Sequence, residues 1–101
     1  MMTDEQTAPQ VGFRIRGRVQ GVGFRWWARR TAAGLGLGGV VMNRTDGSVE
    51  VHAVGEAEAL QLFEARLAEG PPGSWVDGVD RVPSERPLPD AFEIVSDFGF
   101  A

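Results

Sequence analysis

The sequence predicts an α+β fold, a ferredoxin-like βαββαβ sandwich in which two helices cover one face of an antiparallel sheet and an extra strand follows at the C-terminus. Three observations carry the prediction. Strand-period and helix-period stretches succeed one another in that order within 101 residues, a length that suits one domain with a single core. Two β-rich runs flank "RTDG", whose Asp46-Gly47 supplies a hairpin turn. A second amphipathic stretch then separates that hairpin from the last strands.

Each element has its own signal. In "VGFRIRGRV", Phe13, Ile15, Gly17 and Val19 fall on one side and Arg14, Arg16 and Arg18 on the other, the period of a half-buried strand. From Phe24 to Leu35, Trp27, Ala28, Thr31, Ala32 and Leu35 recur at helical spacing, with Arg29 and Arg30 turned outward. "GLGLGG" leaves this helix as a cap. "GVVMN" and "SVEVHAV" are the second and third strands. In "GEAEALQLFEARLAEGPPG", Leu60, Phe63 and Leu67 share a helix face, Glu56 and Glu58 sit in the first turn, and Gly70-Pro71-Pro72 is the stop. "WVDGVDRV" and "AFEIV" are two further short strands, separated by the proline-rich "PSERPLP". Residues 1–10, polar and acidic, read as a disordered tail, and the domain occupies 11–101.

Composition narrows the chemistry. Apolar residues make up 43% of the chain and charged residues 24%, a balance that buries a core and excludes a collagen-like or disordered chain. Cysteine is absent, which excludes a disulfide framework, a thiolate metal site and a cysteine-based phosphatase. The N-terminus lacks the basic and apolar regions of a secretory signal and no apolar run reaches membrane length, so the expected location is the cytoplasm. The net charge of −4 is unevenly spread, with +5 on residues 1–44 and −9 on residues 45–101. An acidic whole argues against broad nucleic-acid binding, while a local basic region attracts a small anion. All ten basic residues are arginine, a compositional bias that says little about chemistry.

The basic half contains "GRVQGVGFR", residues 17–25, where the first strand stops and the first helix starts. A loop in that place exposes unpaired N–H groups, and glycines at 21 and 23 let several of them converge on one anion. Arg25 enters on the first helical turn, where a planar guanidinium can donate two parallel hydrogen bonds to phosphate oxygens. The plainer alternative is a tight strand-to-helix turn with Arg25 as a solvated charge. Familiar phosphate motifs do not apply: there is no G-x-x-x-x-G-K-[ST], and Trp26 stands where the third glycine of G-x-G-x-x-G would be.

The ordered pattern Gly17-x-Val19-Gln20-Gly21-Val22-x-Phe24-Arg25, then Ala32, Leu35-Gly36-Leu37-x-Gly39-x-Val41-x-Asn43, then Asp46-Gly47-x-Val49-Glu50 and Gly55 resembles the signature of the acylphosphatases. The likeness spans residues 17–55, and the coarse fold extends it from about 11 to 96. It implies that Arg25 binds the substrate phosphate. It implies further that the loop amides of Gln20, Gly21, Val22, Gly23, Phe24 and Arg25 surround that phosphate, and that Asn43 orients the attacking water. The implied reaction hydrolyses acyl phosphates such as acetyl phosphate to a carboxylate and orthophosphate. An acyl phosphate expels a stable carboxylate, so phosphoryl transfer becomes mainly positioning and charge stabilisation, with no metal or cofactor demanded. The expected partner is a small-molecule acyl phosphate, with no nucleic acid, no membrane and no second subunit.

Two rival functions stay open at this level. The same domain type occurs fused within larger proteins, and the fold hosts many binding functions, so a regulatory module is one. RNA-recognition domains share the element order, although their stacking aromatics are missing from these strands. Other residues carry less. His52 reads as a surface strand residue, Asp77 and Asp80 as exposed strand and turn positions, and Arg14, Arg16 and Arg18 as a stripe paired across strands with acids such as Glu50. The sequence departs from the family pattern at Val40, where a Trp is frequent, at the supple Gly38-Gly39 start of the second strand, and at the closing "SDFGFA".

Overall fold

A computed structural model describes residues 8–96 in seven elements: β1 Gln10–Arg18, α1 Phe24–Gly34, β2 Gly38–Asn43, β3 Val49–Val54, α2 Ala57–Glu69, β4 Trp75–Val82 and β5 Phe92–Ile94. β1 pairs antiparallel with β3 on one side, Phe13 opposite Val51, and with β4 on the other, Phe13 opposite Arg81. β2 completes the ferredoxin-like set by pairing antiparallel with β3. The sheet order is β4-β1-β3-β2-β5, so β4 and β5 occupy opposite edges. The extra strand joins β2 in parallel, Val41 opposite Ile94, which makes the five-stranded sheet mixed. Because β4 and β5 lie on opposite edges, the chain must cross the sheet between them, and the proline-rich residues 83–91 do so.

The helices lie on one face, where Phe13, Ile15, Val41, Val49, Val51 and Ala53 meet Phe24, Ala28 and Ala32 of α1 and Leu60, Phe63 and Leu67 of α2. The α2 residues picked out by helical spacing are those that are buried. Phe63 and Phe92 meet edge to face at 5.8 Å, tying α2 to the added strand. Each such large side chain contributes about 1.5–3 kcal/mol on leaving water. α1 ends as its glycines predict. The Leu37 N–H donates to the Ala32 carbonyl at 2.9 Å and the Gly36 N–H to the Ala33 carbonyl at 3.1 Å, with Gly36 at φ 75.

On the opposite face the structure corrects the reading of His52. Its side chain is fully buried, with Nε2 2.6 Å from Glu50 Oε2 and Nδ1 2.7 Å from Ser84 Oγ. Strand alternation assigns His52 to the face away from the helices, but the residue that covers it lies 32 positions further on, in the crossover. Gln10 anchors the same segment, its Nε2–H donating to Ser84 Oγ and to the Arg86 carbonyl at 3.0 Å each. The arginine stripe is only partly paired as expected. Arg16 meets Asp80 at 2.7 Å, whereas the ion-pair partner of Glu50 is Arg44, at 3.1 Å. Asp77 accepts the Trp75 indole N–H, so both acids of "DGVD" are engaged on β1, β4 or their own strand.

The double glycine of β2 is a packing requirement rather than a supple start. A Cβ on Gly38 would run into the backbone of Pro89 and Asp90, and one on Gly39 into the carbonyl oxygen of His52. Gly39 also has φ 140, which L side chains rarely adopt. β1 starts at Gln10, residues 1–7 of the expected tail lie outside the described residues, and of "SDFGFA" only Ser96 lies inside them. Gly39→Ala is expected to destabilise the fold by about 3 kcal/mol or more through backbone strain. Gly34→Ala, in open space at the end of α1, is expected to stabilise it by about 0.5 kcal/mol. Urea unfolding midpoints of both variants against the wild type check the pair.

Candidate active site

β1 and β2 end, and α1 begins, at the same edge of the molecule, so the β1–α1 loop faces the β2–β3 hairpin. β1 reaches the loop through a bulge between Arg16 and Gly17. Gly17 has φ 130, and a Cβ there would strike the Trp75 carbonyl, so the strand can make this approach to β4 only with glycine. Beyond it, the buried side chains of Val19 and Phe24 pin both ends of the loop, and Val22 packs against the core from the middle. Phe24 sits edge-on to Trp27 at 5.2 Å. The apolar side chains of Val22 and Phe24 thus hold the backbone, and the chemistry is left to that backbone.

Gly21 and Gly23 lie at φ 76 and 77, and Gly23 is the left-handed N-cap of α1 with no side-chain cap. Among the described residues, no backbone N–H from Gln20 through Trp26 donates to a protein acceptor, and the first bond of the helix runs from the Trp27 N–H to the Gly23 carbonyl at 3.0 Å. A helix start with free donors and glycines in left-handed conformation presents converging positive dipoles to an anion. No acid occupies the first turn of α1. Arg25, half-buried in that turn, has no ion-pair or hydrogen-bond partner among the described residues.

Asn43 closes β2 opposite Val49, and its Oδ1 is a buried acceptor with no hydrogen-bond partner among the described residues. Such an atom costs about 1–3 kcal/mol unless something donates to it. The hairpin that carries it is tightly bonded: the Arg44 N–H donates to the Ser48 carbonyl at 2.8 Å, and the Ser48 N–H and Oγ–H donate to Asp46 Oδ1 at 3.0 and 2.6 Å. These two bonds, the hydroxyl first, hold the Asp46 carboxyl below the ordinary aspartate range.

The sequence marks Gln20 for its amide N–H, and the structure gives its side chain a second task. Gln20 Nε2 donates to the carbonyls of Arg44 at 2.8 Å and Ser48 at 2.9 Å. One side chain therefore staples the loop to the hairpin that holds Asn43. A glutamine beside a glycine gives no sign of which carbonyls it will find, so this contact has no sequence signal. Around these groups lie two open clefts. One is walled by Arg25, Trp26, Arg29, Glu93 and Ile94, the other by Met42, Asn43, Arg44, Thr45 and Ser96. They flank the exit of β5, where Ile94 borders the first and Ser96 the second. Arg25 and Asn43 thus each line a cleft that borders the end of β5. His52 stays on the far face, and no group of three or more His, Asp or Glu able to hold a metal ion occurs among the described residues. No helix among them is long and apolar enough to cross a membrane.

A short α+β sandwich with a glycine-rich loop of free N–H groups ahead of its first helix suits the binding of a small anion, and comparison with known proteins makes the class specific. The acylphosphatase family model matches residues 11–94. An acylphosphatase of Nitratidesulfovibrio vulgaris is 49% identical over 89 residues, covering 85% of this chain and 89% of that one. The crystal structure of acylphosphatase from Bacillus subtilis superposes with a TM-score of 0.75 at 40% identity, over 85% of this chain and 97% of that one. An acylphosphatase from Coxiella burnetii superposes with a TM-score of 0.84 at 32% identity, over 94% of this chain and 100% of that one. The chain belongs to the acylphosphatase family. It is an enzyme whose activity is hydrolysis of a small-molecule acyl phosphate.

Two outcomes follow from the hairpin and its staple. Gln20→Leu removes two hydrogen bonds from carbonyls that each keep one backbone donor, the Gly47 N–H on Arg44 and the Arg44 N–H on Ser48, which is expected to cost about 1–3 kcal/mol in urea unfolding and to lower turnover. For Asp46, the folded-state pKa is depressed, so its stabilisation is present above the unfolded value near pH 4 and is lost as pH falls through the lower folded value. Asp46→Ala is therefore expected to be less stable than wild type at pH 7, with the gap closing below about pH 4 when midpoints are measured across that range.

Proposed function

We propose that the β1–α1 loop and Arg25 grip the phosphoryl group of an acyl phosphate while Asn43 orients the water that attacks it. The carrying observation is the run of unpartnered N–H groups from Gln20 to Trp26 ending beside an unpartnered guanidinium. The backbone donors of Gln20, Gly21, Val22, Gly23 and Phe24, with the N–H and guanidinium of Arg25, receive the phosphoryl oxygens. A loose transition state spreads charge over those oxygens, and preorganised donors stabilise it without rearranging.

Water donates one hydrogen bond to the buried Oδ1 of Asn43, which fixes its lone pair towards phosphorus. The water oxygen bonds to phosphorus as the bond from phosphorus to the bridging oxygen breaks, and the carboxylate departs with that electron pair. The water proton passes to a phosphoryl oxygen, giving orthophosphate. No acid or histidine walls the Asn43 cleft among the described residues, and the nearby Glu50 is already engaged by Arg44 and His52. The amide supplies orientation, and the substrate supplies the base. In this reading the enzyme works in the cytoplasm as a monomer, without metal, cofactor or nucleic acid.

Hydrolysis of benzoyl phosphate with chelator present tests the assignment. Wild type is expected to turn over, and Arg25→Ala and Asn43→Ala, each confirmed folded, are expected to lose about a hundredfold to a thousandfold in rate, or roughly 3–4 kcal/mol of barrier. Turnover within a few-fold of wild type in either variant removes that residue from the mechanism.

A further inference from the structure

We propose that the cleft walled by Arg25, Trp26, Arg29, Glu93 and Ile94 is the subsite for the acyl group, and that it favours acyl phosphates whose acyl portion is flat and aromatic. The inference rests on the proposed grip of Arg25 on the phosphate. The acyl carbon is joined to phosphorus through a single oxygen, so the acyl group must lie in space that adjoins the phosphate donors. This cleft does so, because Arg25 is one of its walls. At about 570 Å³ it has the size of a small-molecule site.

Displacement at phosphorus places the entering and leaving oxygens in line, on opposite sides of it. With the water on Asn43, the carboxylate must leave on the side away from the hairpin. Both clefts lie beside the end of β5: the hairpin cleft is walled by Met42, Asn43, Arg44, Thr45 and Ser96, and the α1 cleft by Trp26 and Ile94 together with Arg25, Arg29 and Glu93.

A single exposed tryptophan is ordinary on a protein surface, but Trp26, 57% exposed, is held in place. The guanidinium carbon of Arg29 lies 5.4 Å from the centroid of its ring, and Arg29 Nε donates to the Phe92 carbonyl at 3.3 Å. A cation anchored to β5 thus packs against the indole, and Trp26 and Ile94 wall the same cleft. Flat aromatic groups gain most from such a wall.

The test compares kcat/KM for benzoyl phosphate and acetyl phosphate in wild type, Trp26→Ala and Trp26→Phe. The benzoyl-to-acetyl ratio is expected to fall about three- to tenfold in Trp26→Ala, mainly through KM for benzoyl phosphate, as loss of an aromatic contact implies. Trp26→Phe, which keeps a ring, is expected to restore most of the ratio. An unchanged ratio, or equal losses on both substrates, overturns the subsite and leaves the phosphate grip standing. Arg25→Ala that still hydrolyses both substrates at the wild-type rate instead overturns the grip, and the subsite with it.

Discussion

Two hydrogen bonds from the Gln20 side chain to the carbonyls of Arg44 and Ser48 join the halves of the site. Loop and hairpin belong to different strands, and each is locally determined: the loop by glycine conformations and the burial of Val19 and Phe24, the hairpin by the Asp46 turn. Neither fixes its position relative to the other. The amide of Gln20 does so through groups whose partners are buried or half-buried, where an exchange with water is costly. The distance between the β1–α1 loop and the Asn43 amide is therefore set in part by a short, stiff connection.

The charge pattern has the same economy. The acids that outnumber the arginines along the chain are placed so that several arginines are neutralised on the flanks: Arg16 by Asp80, Arg81 by Glu64 and Arg44 by Glu50. The exposed pairs contribute little to stability, about 0–1 kcal/mol each. Among the described residues no carboxylate lies within ion-pair distance of Arg25. An acidic protein can in this way present a cationic site to a dianionic substrate without a basic surface.

The crossover between β4 and β5 serves both faces of the sheet. Its start covers His52 and binds Gln10, and its end brings Phe92 into the core against Phe63. Because β5 then runs parallel to β2, Ile94 and Ser96 are delivered to the edge where β2 ends in Asn43, and each lines one of the two clefts.

The sequence by itself determined the elements and their order. Periodicity picked out Leu60, Phe63 and Leu67, glycine placement marked the α1 cap and the loop, and Asp46-Gly47 marked the hairpin, since all of these depend on residues close together in the chain. It also singled out Arg25 and Asn43, each by local position within a long ordered pattern. Tertiary structure decided what depends on residues far apart. It buried His52 beneath a segment that strand alternation cannot see, and it turned Gly38 and Gly39 from apparent suppleness into close backbone approach. It gave the Gln20 side chain its two carbonyls, and set Trp26 and Ile94 about one cleft. Local conformational preferences are written residue by residue, whereas these contacts exist only once the sheet has brought distant segments together.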